Sequence, residues 1–342
     1  MPMRPHPIQP SLLVAALFVL VAVTALLALS VGDAAVPPGE VLRAIRQAIS
    51  GDAGNDATSR ILLAIRLPRI VMALAAGAAM GLAGLASQTL FRNPLASPYV
   101  VGVSSGAACG AVLGLLLAAP AVGFAAMPVM SVLGGLAATL AVYGFARRGG
   151  HFGHSLLLAG IAVSAFCSAL TSAALYLAGE RLQTLVFWLM GGLWQSNWRD
   201  ALVMTPVACA AGVALLALAP AMDVALVGER SARDLGVAVR RLQLWLLVIV
   251  AVTTSVAVSL TGVIGFVGLI VPHLLRLLCG AGHRGLVPAS ALGGALLLLA
   301  ADTLARTATA PAEIPVGILT ALVGAPVFLW LLLRRSRQGA TP

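Results

Sequence analysis

Lysine is absent from this chain: all 21 of its basic residues are arginine. A chain without lysine cannot form a G-x-x-x-x-G-K-[ST] phosphate-binding loop or a lysine Schiff base, so both kinds of site are excluded. If the protein uses ATP, a partner has to hold the nucleotide. The formal net charge of +10 comes from arginines scattered along the chain, which is not the clustered pattern of a domain that binds nucleic acid.

Cysteine is scarce, and no C-x-x-C pair occurs. The four cysteines, Cys109, Cys167, Cys209 and Cys279, lie in or beside apolar segments. We interpret them as small apolar core residues rather than as metal ligands or redox centres. The sequence therefore predicts neither a metal site nor a cofactor site in this chain.

Charge of either sign is rare, since charged residues make up only 9% of the 342 positions whereas hydrophobic residues make up 60%. Soluble domains carry about 25% charged residues. The apolar runs are long and continuous and do not alternate with polar residues, which favours membrane-spanning helices over a β-barrel. We predict an all-α polytopic membrane protein, with residues 1–342 forming one transmembrane domain. Its ten predicted spans are 11–31, 67–91, 99–119, 127–146, 155–178, 202–221, 242–262, 264–279, 287–305 and 312–333.

The first apolar run has an alternative interpretation. It follows Arg4 and precedes the small residues Ala34 and Ala35, a pattern that also fits a signal peptide. The apolar part of a signal peptide is typically about 7–15 residues long. The run over 11–31 is longer and is long enough to cross a membrane, so we interpret it as the first span.

The arginine distribution predicts the orientation. Most arginines face the cytoplasm if both termini are placed there. The exception is the external segment between the first two spans, which contains EVLRAIRQAI. Apolar residues of this segment, among them Val41 and Leu42, are predicted to share one face of an amphipathic helix on the outer surface.

Ten spans divide into two halves of five, and an odd number per half makes the halves run in opposite directions, as in transporters with inverted repeats. The second and seventh spans each lead into an interrupted, glycine-rich segment: FRNPLASPYVVGVSSGA and TGVIGFVGLIVPHLLR. Interrupted helices at corresponding positions indicate a translocation path. The alternative is close helix packing through glycine, and the pattern alone does not choose between them.

Four ordered motifs carry a resemblance to a known family. They are RLPR at 66–69, the FRNPLASP segment, GVIGFVGLIVPH at 262–273, and ADTLARTATAPAEIPVGILTALVGAPVFLWLLLRR at 301–335. Over about residues 60–335 the chain resembles the FecCD-type permeases of ABC importers for iron-siderophores, haem and cobalamin. The resemblance implies the type II importer permease architecture in the inner membrane.

The same resemblance implies the partners. Two permease copies would form the pathway on their two-fold axis. Two cytoplasmic subunits would bind ATP with Mg²⁺ and drive transport, and an external binding protein would deliver a metal chelate. This chain would then be a transport subunit without an ATPase site of its own, surrounded by membrane lipid.

Arginines at the outer ends of spans are implied to receive acidic residues of the binding protein. By position in the family's motifs these are Arg66, Arg69 and Arg306. Arginine–carboxylate pairs orient a partner and can be released again. The alternative for Arg66 and Arg69 is that they anchor the second span at the membrane interface.

The resemblance places a cytoplasmic gate at the loop after the second span, at Asn93 and Leu95, and at the turn before the fifth span, at Gly153 and His154. Pro94 lacks an N–H and Asn93 can bond to a broken turn, so the helix is expected to end here. The residues that would line the pathway as the third span begins are Gly102, Ser104, Ser105 and Gly106.

The charged segment 221–241 resembles the loop that couples such permeases to their ATPases. Gly228 and Gly236 would permit sharp turns, while Ala232 and Leu235 would present a small apolar knob. A plain solvated loop is the alternative. The polar rim would consist of Glu229, Arg230, Arg233 and Asp234.

The substrate is predicted to be a large metal chelate, because no set of carboxylate and imidazole ligands suited to a bare metal ion stands out in the spans. Ferric siderophore or haem is the leading interpretation, and cobalamin is the alternative. His151 and His154 either touch haem iron or belong to a solvated loop.

An ion-coupled secondary transporter or a channel would need a coupling-ion site within the spans, and an intramembrane enzyme would need a pattern such as H-E-x-x-H. Neither feature is evident in the sequence.

Overall fold

The computed structural model describes residues 8–32, 36–50, 56–117, 123–148, 152–310 and 312–339. These residues are mostly helical, and no strand occurs among them. His151 lies outside the described residues. The helices are α1 (Pro10–Ser30), α2 (Pro38–Ser50), α3 (Ala57–Leu90), α4 (Val103–Leu117), α5 (Gly123–Ala146), α6 (Phe152–Tyr176), α7 (Leu182–Leu189), α8 (Trp198–Ala225), α9 (Glu229–Asp234), α10 (Val239–Thr261), α11 (Val267–Cys279), α12 (His283–Thr307) and α13 (Val316–Gly339).

The all-α prediction is confirmed. Within the described ranges, seven helices are long and apolar enough to cross a membrane: α1, α3, α5, α6, α8, α10 and α12. The helices α4, α11 and α13 are also apolar but offer shorter stretches. Each predicted span overlaps one of these ten helices, and the number of actual crossings stays a prediction.

Helix α3 lies at the centre of the bundle and packs against α8, α10, α11 and α12. Glycine makes this packing close: a Cβ at Gly77 would collide with the backbone of Gly294, and one at Gly84 would collide with the carbonyl of Gly268. Small residues let helix backbones approach in a membrane and gain van der Waals contact. Much of the glycine in this chain therefore serves helix packing, the alternative that the sequence pattern left open.

The two interrupted segments contact each other. The hydroxyl of Tyr99, in a short 3-10 helix at Pro98–Val101, donates to the carbonyl of Ile264 in the break before α11. Gln88 Nε2 donates to the carbonyl of Leu269 at 3.1 Å. Backbone groups that leave a helix inside a membrane need such partners. The broken regions of the two halves thus support one another.

The outer segment contains the amphipathic helix that was predicted, as α2. Val41 on it is 3% exposed, whereas Leu42 is 64% exposed, so the two residues differ in how far the rest of the chain covers them. Consecutive helical residues point about 100° apart, which carries Leu42 off the buried face.

At the start of α3, Asp56 accepts hydrogen bonds from the backbone N–H and the hydroxyl of Ser59, and these bonds hold the pKa of Asp56 below its usual range.

Candidate functional site

At the predicted outer end of the bundle, one arginine bridges two carboxylates. Arg69 Nη2 lies 2.8 Å from Asp302 Oδ1, and Nε lies 3.0 Å from Asp302 Oδ2. The same guanidinium donates from Nη1 to Glu313 Oε1 at 2.9 Å. The Asp302 side chain is fully buried and that of Arg69 is 11% exposed. Planar guanidinium suits such bidentate pairing, which here ties α3 to α12 and to the segment before α13.

Two further arginines beside this pair bond to the end of α1. Arg66 Nη1 donates to the carbonyl of Leu29, and Arg306 Nη2 donates to the carbonyl of Ala28, each at 2.5 Å. The last carbonyls of a helix have no partner within the helix, and they carry partial negative charge. Both guanidiniums therefore cap the C-terminus of α1.

The structure brings Arg66, Arg69 and Arg306 into one cluster, as the docking hypothesis requires. It also buries them: Arg66 is 5% exposed and Arg306 is 6% exposed, and all three hydrogen-bond within the chain. These bonds give the three arginines a structural role, because they join α3 and α12 to the end of α1 and to each other. Docking of an external protein on the cluster stays a prediction.

At the opposite end, α3 stops at Leu90 and a short loop follows. The loop is closed by Asn93, whose side-chain oxygen accepts from the backbone N–H of Leu95 at 3.0 Å. The backbone N–H of Asn93 in turn donates to the carbonyl of Gln88 at 3.0 Å. Proline at position 94 cannot continue a helix, which explains why the chain turns here.

All four predicted gate residues line one cavity of about 660 Å³. Asn93 and Leu95 come from the loop after α3, and Gly153 and His154 come from the start of α6. The two parts of the predicted gate are thus neighbours in space. Their opening and closing stay a prediction.

The same cavity is lined by Glu229 of α9, which belongs to the predicted coupling segment. Arg92 Nη2 donates to Glu229 Oε1 at 2.9 Å, and Gln243 Nε2 lies 3.3 Å from the same oxygen. Arg92 is also one of two non-glycine residues with positive φ among the described residues, at 48°. The loop and the coupling helix are therefore joined directly, which sequence reasoning had not anticipated.

The coupling segment forms a short helix between two sharp turns. Gly228 has φ 125° and Gly236 has φ 83°, conformations that favour glycine. Leu235 is 68% exposed, but Ala232 is fully buried, so the prediction that both form an outward knob is wrong. The reason is that α9 packs against α8 and α10, with Ala232 on its inner side. The predicted rim residues that are exposed are Arg230, Arg233 and Asp234.

The residues predicted to line the pathway are largely enclosed. Gly102, Ser104 and Gly106 are buried and Ser105 is half-buried. Gly102 takes φ 79° and ends the 3-10 helix before α4. Only Gly106 of these four lines the large apolar cavity of about 1060 Å³ between α4, α5 and α6. A role of the four in a pathway stays a prediction.

A buried histidine links three helix ends near the gate loop. His283 Nδ1 lies 2.6 Å from Asp223 Oδ1 at the end of α8, and its Nε2 lies 3.0 Å from Thr89 Oγ1 at the end of α3. The backbone N–H of His283 also donates to Asp223 at 2.9 Å. Sequence reasoning missed this cluster because Asp223 and His283 are 60 residues apart and no local spacing relates them.

Comparisons with known proteins agree with the motifs. The model of the FecCD transport family matches residues 20–334. The chain is 43% identical to the hemin transport system permease protein HmuU of Yersinia pestis, over 83% of this chain and 86% of that one. It is 46% identical to the cobalamin import system permease protein BtuC of Halobacterium salinarum, over 83% of this chain and 76% of that one.

A solved structure is similar over almost the whole chain. It is described as an inward-facing conformation of a metal-chelate type ABC transporter. The TM-score is 0.83 at 32% identity, and the alignment covers 94% of this chain and 98% of that one. The arrangement of helices, the sequence identity and the family match agree, and we conclude that this chain is a multi-span membrane protein of the FecCD transport family.

Proposed function

We propose that the chain is the transmembrane permease of a binding-protein-dependent ABC importer that carries a metal chelate into the cell. Family membership and the names of the hemin and cobalamin permeases support this. The single observation that carries the mechanism is the Arg92–Glu229 ion pair, because it joins the predicted gate loop to the predicted coupling helix.

The ion pair suggests how movement is passed on. ATPase subunits that close on ATP and Mg²⁺ would press on α9 through exposed Leu235. Displacement of α9 would move Glu229 and, through Arg92, the loop that holds Asn93 and Leu95. The cavity beside Gly153 and His154 would then change shape and release the chelate inward. Access would alternate between the two sides, and this chain itself would hydrolyse nothing and bind no cofactor.

Partners follow from the same proposal. Two copies of the chain would meet on a two-fold axis, and α6 offers exposed apolar residues such as Leu158 and Phe166 for lipid or for the second copy. An external binding protein would dock at the outer end. Arg66, Arg69 and Arg306 cluster there, and a cluster of arginines would favour an acidic partner. Both termini would lie in the cytoplasm, at the inner membrane.

The first candidate substrate is haem or a ferric siderophore, and the relative named a hemin permease supports haem. Cobalamin is the second candidate, because relatives named for cobalamin or vitamin B12 import reach 46% and 40% identity. Uptake in proteoliposomes tests both. The permease would be reconstituted with its ATPase, and binding proteins loaded with haem, a ferric siderophore or cobalamin would be offered in turn.

ATP-dependent accumulation of one chelate is the expected result and would identify the cargo. Uptake of solute driven by an ion gradient without the ATPase would instead show a secondary transporter or a channel. Stable assembly with an ATPase but no uptake of any of the three would contradict the substrate class while keeping the importer.

The coupling surface has its own test. Leu235→Asp should release the ATPase on gel filtration, since it puts a charge on the exposed apolar residue of the coupling segment. A matched control is Leu177→Asp, which changes a leucine of similar exposure (76%) at the opposite end of the bundle. A complex that stays intact with Leu235→Asp would refute the assignment of this surface.

A further inference from the structure

A basic groove lies beside the coupling helix, where α5 ends and α10 begins. It has a volume of about 760 Å³, within the roughly 300–1,000 Å³ range of ligand pockets. Four arginines line it, from three different elements: Arg147 after α5, Arg233 on α9, and Arg240 and Arg241 on α10. All four side chains are exposed. Such convergence of guanidinium groups predicts an anionic ligand.

Within the part of the chain that the structure describes, one carboxylate faces the four arginines of the groove. Glu229 is the acidic residue that lines it, and that carboxylate is shared by Arg92 at 2.9 Å and Arg233 at 3.6 Å. Within the described ranges, neither Arg240 nor Arg241 forms an ion pair. Two guanidiniums therefore remain available to a ligand that brings its own negative charge.

The guanidinium of Arg147 is held in place by contact with an aromatic ring. Its guanidinium carbon lies 5.5 Å from the centre of the Tyr143 ring, a cation–π arrangement. An aromatic ring orients the guanidinium without neutralising it. Arg147 is thus positioned at the edge of the groove, and no hydrogen bond of its side chain is found among the described residues.

The position of the groove along the bundle indicates that it lies at the membrane surface. Both α5 and α10 have the length and composition of membrane spans, and the groove contains the last residues of one and the first residues of the other. Next to the arginines on α10, Leu244 is 39% exposed and Trp245 is 53% exposed. Arginine and tryptophan beside a span are typical of the membrane–water interface, where basic pockets between helices hold lipid head groups.

We propose that this groove binds the head group of an anionic phospholipid, with the phosphate on Arg147, Arg240 and Arg241 and the acyl chains along Leu244 and Trp245. Arginine pairs with phosphate oxygens bidentately, which favours a phosphodiester over a neutral head group. The inference needs only that α5 and α10 cross the membrane, so it does not depend on which substrate the protein carries. A lipid bound here would neighbour Arg233 and hence the Arg92–Glu229 pair.

Native mass spectrometry of the purified full chain tests the proposal, with phosphatidylglycerol, cardiolipin and phosphatidylcholine titrated separately. We expect anionic lipid to bind and phosphatidylcholine not to. The triple variant Arg147→Gln/Arg240→Gln/Arg241→Gln should lower the affinity by roughly five-fold for each arginine removed. Arg240→Lys/Arg241→Lys keeps the charge and should retain most of the binding.

The matched control is Arg43→Gln/Arg46→Gln/Arg60→Gln, which removes three exposed arginines at the other end of the bundle. Equal loss of lipid in this control, or equal binding in the groove variant, would overturn the proposal. Inorganic phosphate would be titrated in the same way. If it binds alone and displaces the lipid, the groove is a site for a free anion. If the groove variant loses the ATPase and keeps its lipid, the groove is a protein interface.

Discussion

The guanidinium of Arg92 and the carboxylate of Glu229 lie 2.9 Å apart, although 137 residues separate them in the chain. Their side chains are 46% and 35% exposed, so the pair contributes little to stability, about 0–1 kcal/mol. Its importance is its position. One partner belongs to the loop that ends α3, and the other is the first residue of α9.

The first prediction concerns this pair. Arg92→Gln should lower the amount of chelate transported per ATP hydrolysed, because the loop would no longer follow α9. The free energy of unfolding should change by less than about 1 kcal/mol. The measurement is uptake and ATP hydrolysis on the same proteoliposomes. The charge swap Arg92→Glu/Glu229→Arg should restore part of the ratio, and an unchanged ratio in Arg92→Gln would contradict the role.

A second prediction concerns the buried carboxylate at the outer end. Asp302→Asn leaves the buried Arg69 with a weaker partner, and breaking a buried ion pair costs about 3–5 kcal/mol. We expect a clearly lower thermal unfolding temperature in nanodiscs. Glu313→Gln is the matched control: its side chain is 28% exposed, so water can replace the lost charge and the effect should be smaller. Equal effects would show that burial does not decide the cost.

The third prediction separates anchoring from docking. Arg66→Gln should speed amide exchange at Val31, whose N–H bonds to Leu27, because the end of α1 loses a cap. Stability should fall by about 1–3 kcal/mol, the cost of an unsatisfied buried group. Hydrogen exchange and unfolding would be measured beside a binding-protein pull-down. Weaker docking with unchanged exchange and stability would show that Arg66 serves the partner only.

A fourth prediction concerns the buried histidine. His283→Ala removes the ring between Asp223 and Thr89 and should cost about 1.5–3 kcal/mol, the value of a hydrogen bond to a charged group. Cleavage by a protease near the end of α8 should also become faster. The control is His154→Ala, since His154 is exposed and should change stability by less than about 0.5 kcal/mol. Similar losses in both variants would contradict a linking role.

The fifth prediction concerns close packing. Gly84→Ala should destabilise the protein by about 1–3 kcal/mol, because the added methyl group meets the backbone of Gly268, which cannot move aside. Gly144→Ala on α5 meets nothing within 4 Å and should be neutral or stabilising by about 0.5–1 kcal/mol. Thermal unfolding of the two variants compares them directly. A tolerated Gly84→Ala would show that α3 and α11 can separate.

Much of this protein could be predicted from sequence because the relevant signals are local. Long apolar runs leave helices as the solution in a membrane, since each helix satisfies its own backbone. The turn at Asn93 follows from a proline at the next position, and the sharp turns at Gly228 and Gly236 follow from glycine. The family resemblance then placed the two parts of the gate at Asn93 and His154, and the structure places both residues around one cavity.

What the sequence by itself determined is therefore the class of protein, its helices and where its chain breaks. Only the tertiary structure decided which charges meet. Glu229 pairs with Arg92, His283 with Asp223, and Arg66 with the end of α1, and no local spacing encodes these partners. The physical reason is that these partners lie far apart along the chain, and only the packing of the helices brings their groups within hydrogen-bonding distance.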